Sequence, residues 1–252
     1  MHDRRQRRSA ARPWRGLADT GPGSRSARRN LPCAPRLGIL AATLAALFSC
    51  LVPAAGLVAQ EETKTILFLG DSLTAGYGLM QEQSFPNLIG DRLEELDLPF
   101  EVINAGVPGD TSAGGLRRID WLLRRRIDIL VLELGANDML RGLPLDLTAE
   151  NLQSIIDKTR AVYPGVKLVV AGMLAPPNLG PEYTSEFRDM FPALATANDA
   201  LLIPFLLEGV AARPELNLPD GIHPNAAGHR IVADDVWKVL ERLLGSDRFP
   251  PY

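Results

Sequence analysis

Cysteine is nearly missing from this 252-residue chain, which has only Cys33 and Cys50. Both precede position 60, so the remainder can form no disulfide and offers no thiol as nucleophile or metal ligand. Histidine is scarce as well: beyond His2 there are only His223 and His229. Two-metal hydrolytic sites generally draw on several histidines, so this shortage argues against one. No Gly-Lys-Ser/Thr follows any glycine-rich stretch, which excludes a P-loop. Positive charge also runs short after the N-terminal region. Ten of the 27 basic residues and two of the 30 acidic ones lie in the first 59 positions, leaving 17 against 28 and a net formal charge of −11. A domain that acidic repels nucleic acid phosphates, so no nucleic acid partner is expected. No internal repeat or linker is evident.

The arginine-rich residues 1–36 mix their charge with Gly, Pro and Ser and show no apolar period, so they cannot build a core. Residues 37–60, "LGILAATLAALFSCLVPAAGLVAQ", follow without a single charge. A basic lead, an apolar stretch and a small-residue end describe a secretory signal, with cleavage after Ala59. Two other readings stay open. "LFSC" (47–50) is similar to a lipoprotein box with Cys50 as the lipidated residue, although Phe48 fits it poorly. Residues 37–59 could instead stay as an anchor, since ~20 residues span a bilayer; Pro53 and the alanines argue against a permanent span. All three place the rest of the chain outside the cytoplasm, in the periplasm or beyond. The expected division is a leader over 1–59 and one domain over 60–252, long enough for one core and short for two. Membrane contact is expected only through a retained or lipidated leader, and a monomer is expected.

After Glu61, short apolar runs alternate with amphipathic stretches. Residues 64–70, 100–106, 127–135, 166–173 and 200–205 read as buried strands. Residues 84–96, 111–126, 148–163, about 185–199 and 226–244 carry helical spacing. Such alternation predicts an α/β fold with a parallel sheet covered on both faces. Ligands collect at the carboxyl ends of such strands. Polar and glycine-rich tetrads sit there: Gly70-Asp71-Ser72 after the first, Gly109-Asp110 after the second and Gly135-Ala136-Asn137-Asp138 after the third.

A serine nucleophile at neutral pH needs a base of pKa near 7, and imidazole is the usual one. His223 stands in "DGIHP" with Asp220 three residues earlier, close enough for the carboxylate to fix one ring nitrogen and free the other. His229, beside Arg230 in the first turns of the last helix, reads as a surface or capping side chain. Ser72 directly follows a buried strand. An acyl group attacked there passes through an oxyanion that needs N–H donors, and Ser72 and Gly109 supply backbone ones while Asn137 adds its side-chain amide. Residues 173–187, with Leu174, Pro176, Pro177 and Leu179, are expected to flank an acyl pocket. Arg117 and Arg141 read as solvated surface charge.

"FLGDSLTAGYG", "NAGVPGDTS", "ELGANDMLRG" and "DGIHPNAAGH" together resemble the four signature blocks of the GDSL, or SGNH, hydrolases, over about Lys64 to Leu244. The likeness is strongest to the bacterial periplasmic arylesterase, acyl-CoA thioesterase I and lysophospholipase group. It implies a three-layer α/β/α sandwich of flavodoxin-like type with five parallel strands. It implies Ser72 as nucleophile, Asp220 and His223 as the rest of a triad, and Ser72, Gly109 and Asn137 as the oxyanion hole. The substrate would be a small ester or thioester with an acyl chain, with no metal and no other cofactor. The G-x-S-x-G elbow of the common α/β-hydrolases is absent, because Thr74 stands where its second glycine would be. Three alternatives accompany this reading: a carbohydrate acetylesterase, a two-metal phosphoesterase using Asp71, Asn104, Asp110, Asn137, Asp138 and His223, and a non-catalytic binding module.

Overall fold

Strand β1 (Lys64–Gly70) is buried at every residue but the first, and β3 (Ile129–Glu133) is buried throughout. A strand with apolar side chains on both faces needs cover on both, and parallel sheets wrapped in helices provide it. The computed structural model, which describes residues 62–244, has that form. Strands β1, β2 (Phe100–Gly106), β3, β4 (Lys167–Ala171) and β5 (Leu201–Ile203) make one parallel sheet in the order β2-β1-β3-β4-β5. Helix α2 (Phe85–Glu95) packs on α7 (Ala226–Leu240), and the two cover β2 and β5. Helices α3 (Ser112–Leu122), α5 (Leu145–Val162) and α6 (Pro181–Ala197) form a second layer against each other and β4. The β1–α2–β2 crossover runs one way across the sheet and the β2–α3–β3 crossover runs back the other way past β1, so right-handed connections set α2 and α3 on opposite faces, giving the three-layer sandwich.

The reversal of strand order lies between β1 and β3, the switch point where doubly wound sheets open a crevice. Register lines up the rim of that crevice: Gly70 of β1 is level with Gly106 of β2 and Glu133 of β3. The core beneath is anchored by Phe68 and Phe85, whose rings meet edge to face at 5.6 Å, and by Phe187 and Phe191 at 5.2 Å. The expected elements are all present, with shifted ends. Strand β5 stops at Ile203 because Pro204 has no N–H to continue a ladder. Helix α6 starts at Pro181, where a missing N–H costs nothing, so the latter part of the segment 173–187 is helical. The leader, signal and anchor readings of residues 1–59 lie outside the described residues. Among the described residues no helix is long and apolar enough to cross a membrane.

His229 requires a correction. It is not on the surface but 1% exposed, in the seam between α7 and α2. Its ring stacks on Phe85 with centroids 6.1 Å apart, and Nδ1 accepts the Phe85 N–H at 3.1 Å. It therefore caps a helix, but the neighbouring one, which the local sequence cannot reveal. Burial pushes its pKa from 6.5 down to about 4. Because the folded value lies below the unfolded one, the stabilisation is complete above pH 6.5 and is lost as pH falls toward 4. Denaturant unfolding of the parent should therefore lose on the order of 3 kcal/mol more between pH 7 and 4 than His229→Gln does. Equal pH dependence in the two proteins would contradict the buried neutral imidazole.

Candidate active site

Strand β1 ends at Gly70, and Asp71 N-caps the short helix α1 (Ser72–Ala75) by accepting the Leu73 N–H at 2.9 Å. Ser72 is thus the first helical residue beyond the sheet edge and is partly exposed. The turn is tight enough to demand glycine at its pivot. A Cβ on Gly70 would lie 2.0 Å from Thr74 Oγ1 and 2.5 Å from Glu133 Oε2. Helix α1, like α4 (Ala136–Leu140) after β3, is too short to show a period in the sequence.

His223 arrives from the opposite end of the chain, on the loop between β5 and α7. That loop is pinned on both sides. An antiparallel bridge joins Asn217 to Pro224, Asn217 Nδ2 donates to the Val210 and Arg213 carbonyls, and Asn225 caps α7 through the Ala227 and Gly228 N–H groups. His223 Nε2 lies 2.9 Å from Ser72 Oγ, and Nδ1 lies 2.7 Å from Asp220 Oδ2. Asp220 Oδ1 accepts the backbone N–H groups of Ile222 and His223. Those bonds, the His223 N–H foremost, hold the Asp220 carboxyl down to about 2, so it stays ionised. With Nδ1–H donating to Asp220, Nε2 is free to accept the Ser72 hydroxyl. Tyr77 leans on the imidazole with centroids 4.7 Å apart.

Asn137, in α4, donates one Nδ2 hydrogen to Asp71 Oδ2 at 2.9 Å, which ties β3 to the serine turn. Gly109 follows β2 in a left-handed conformation, φ 77°, and its carbonyl accepts from Arg141 at 2.7 Å. Arg141 is therefore a strut for the Gly109 peptide rather than loose surface charge. Arg117 lies exposed on α3. Among the described residues, no acceptor is paired with the N–H of Ser72 or Gly109. Residues 177–179 form a short turn whose Leu179, like Leu174, is exposed.

The carboxylates considered for a metal have other partners. Asp110 pairs with Arg118 at 2.7 Å, Asp138 accepts the Ser112 N–H and hydroxyl, and Asn104 bonds the Thr74 carbonyl and the Gly106 N–H. Among the described residues no three His, Cys, Asp or Glu side chains are grouped to hold a metal ion. Asp71 sits buried beside Glu133, which sequence inspection passed over although an acid closing an apolar strand run marks it. Burial drives Asp71 up to about 6 against the pull of the Leu73 N–H. It drives Glu133 well above the usual carboxylate range, and the Asp71 charge adds to that.

A serine at a parallel-sheet switch point, bonded to a histidine that is bonded to an aspartate, has relatives. The model of the GDSL-like lipase/acylhydrolase family matches residues 68–231. Esterase TesA of Pseudomonas aeruginosa is 39% identical over 75% of this chain and 93% of its own. The thioesterase 1/protease 1/lysophospholipase L1 of Escherichia coli strain K12 is 36% identical over 73% of this chain and 86% of its own. The crystal structure of the esterase EstA from Pseudoalteromonas sp., inhibited by monoethylphosphonate, superposes with a TM-score of 0.68 at 34% identity, covering 72% of this chain and 98% of that one. The chain belongs to the GDSL-like lipase/acylhydrolase family and is a hydrolase of ester bonds.

The crowding at Gly70 gives a direct test. Gly70→Ala should cost about 1–3 kcal/mol by overpacking and lower Tm by roughly 3–10 °C. An unchanged Tm in calorimetry would show that the turn has slack.

Proposed function

We propose that this enzyme cleaves carboxylic esters and thioesters of apolar acyl chains through a Ser72–His223–Asp220 triad, outside the cytoplasm. The observation that carries the reading is His223, with Nε2 2.9 Å from Ser72 Oγ and Nδ1 2.7 Å from Asp220 Oδ2. Ser72 Oγ attacks the acyl carbon while its proton passes to His223 Nε2, and Asp220 stabilises the imidazolium and holds its tautomer. The oxyanion is met by the Ser72 and Gly109 N–H groups and the second Nδ2 hydrogen of Asn137. His223 then returns the proton to the leaving alcohol or thiol, leaving an acyl-enzyme on Ser72. Water, deprotonated by His223, attacks that acyl-enzyme and the free acid departs.

An acyl chain rather than a sugar acetate suits the rim of the crevice. Tyr77, Val107, Leu140, Leu174, Leu179 and Ile222 are all exposed, and all follow strand ends or flank His223 on this side of the sheet. Relatives with esterase and with thioesterase and lysophospholipase names support the same substrate range. Export rests on the basic, then apolar, residues 1–59.

On a panel of p-nitrophenyl and thioester substrates from acetyl to palmitoyl, Ser72→Ala should lose at least about 10³-fold in kcat. Medium or long chains should outperform acetyl. Parent-level turnover by Ser72→Ala would refute the triad, and a strict acetyl preference would favour the acetylesterase. In the same assay Asn137→Ala should lower kcat by about 10²–10³-fold with little change in KM. A pure KM effect would remove Asn137 from the oxyanion site.

A further inference from the structure

Glu133 takes no part in the steps above, yet it lies directly under them. It closes β3 level with Gly70 and is 1% exposed. Its Oε2 accepts the Asp71 N–H at 3.1 Å and the Thr74 hydroxyl at 2.8 Å. Its Oε1 is buried and receives no N–H or O–H. Asp71, also 1% exposed, already accepts the Leu73 N–H on Oδ1 and the Asn137 amide on Oδ2. The bond from the Asp71 N–H to Glu133 Oε2 sets the two buried acids side by side.

Two neighbouring carboxyl groups, both 1% exposed, are not both ionised without a cation between them, so one of them holds a proton. The surroundings decide which. Asp71 has an N–H on each oxygen, and both favour its charge. Glu133 is the more deeply enclosed, and one of its oxygens has no donor at all. The guanidinium of Arg118 on α3 serves the Gly70 carbonyl and Asp110, and Asp138 of α4 is engaged with Ser112.

We propose that Glu133 stays protonated at neutral pH and donates from Oε1 to Asp71, keeping the Asp71 carboxylate charged as the acceptor that aims Asn137 Nδ2 at the oxyanion. Glu133 is thus a positioning residue, acting on the substrate only through Asp71 and Asn137. Its carboxylic acid supplies what a buried anion needs, a donor without a second charge. The orienting bond to Asn137 is charge-assisted only while Asp71 is ionised. This inference rests on the oxyanion role of Asn137 proposed above.

Replacement by methionine and by glutamine separates the proton from the shape. Glu133→Met keeps most of the volume and removes the donor, and should lower kcat by about 10–100-fold with KM within about twofold, since an oxyanion contact acts in the transition state. Glu133→Gln can accept from Asp71 N–H and Thr74 through its carbonyl and donate its amide to Asp71, so it should recover most of that loss. Glutamine as damaging as methionine would mean that the anion is needed, and methionine without effect would mean no positioning role. Either result overturns the proposal. A measurement on the unaltered full-length protein guards against misfolded variants. Its infrared spectrum at pH 7.5 should contain a protonated-carboxyl carbonyl band that shifts in D₂O, and its absence would overturn the proposal outright. Ser72→Ala assayed alongside keeps the two readings apart: an inactive Ser72→Ala with a failed glutamine rescue sinks the acid pair alone.

Discussion

The 2.9 Å contact between His223 Nε2 and Ser72 Oγ joins residues 151 positions apart, and the rest of the molecule is arranged to make it reproducible. One partner is fixed by the sheet. Five buried residues of β1, Thr65 to Leu69, lead to a glycine pivot with no room for a methyl group, so Ser72 can leave the sheet in one direction only. The other partner is fixed by its loop. Asn217, Asn225 and the bridge at Pro224 hold both ends of the segment that carries Asp220 and His223. A rigid scaffold with its chemistry on pinned loops is the general plan of such sites, and it avoids an ordering cost at each turnover.

Around that contact, four titratable groups are set apart by their surroundings alone. Asp220, in reach of water and of two backbone N–H groups, is held down to about 2. Asp71, buried but given donors, rises to about 6. Glu133, buried with one oxygen undonated, rises well beyond the carboxylate range. His229, enclosed against Phe85, drops to about 4 and stays neutral. The same residue types thus serve as anion, structural cap and, as proposed, orienting acceptor and proton holder, which is how environment assigns roles in hydrolytic sites.

Much of this was legible in the sequence, because the relevant signals are local. Continuous apolar runs mark strands buried on both faces, and the polar tetrads ending them mark the crevice. The "DGIHP" spacing announced the Asp220–His223 pair, since three residues suffice to bring the carboxylate round to the ring. The illegible parts depend on partners distant in sequence. Nothing near His229 reveals that Phe85 will offer it an N–H, nothing near Arg141 points to the Gly109 carbonyl, and Glu133 matters only because register sets it against Gly70. Helices α1 and α4 escaped for a different reason, since four or five residues carry no period.

The central claim is that the hydroxyl, the imidazole and the donors from two other strand ends act on one acyl carbon. A crystal structure of the protein treated with an alkylphosphonate ester tests it most directly. The account predicts density continuous from Ser72 Oγ to phosphorus, with the phosphoryl oxygen held by the N–H groups of Ser72 and Gly109 and by Asn137 Nδ2. Phosphorus on another residue, or a phosphoryl oxygen turned away from Gly109 and Asn137, would contradict it.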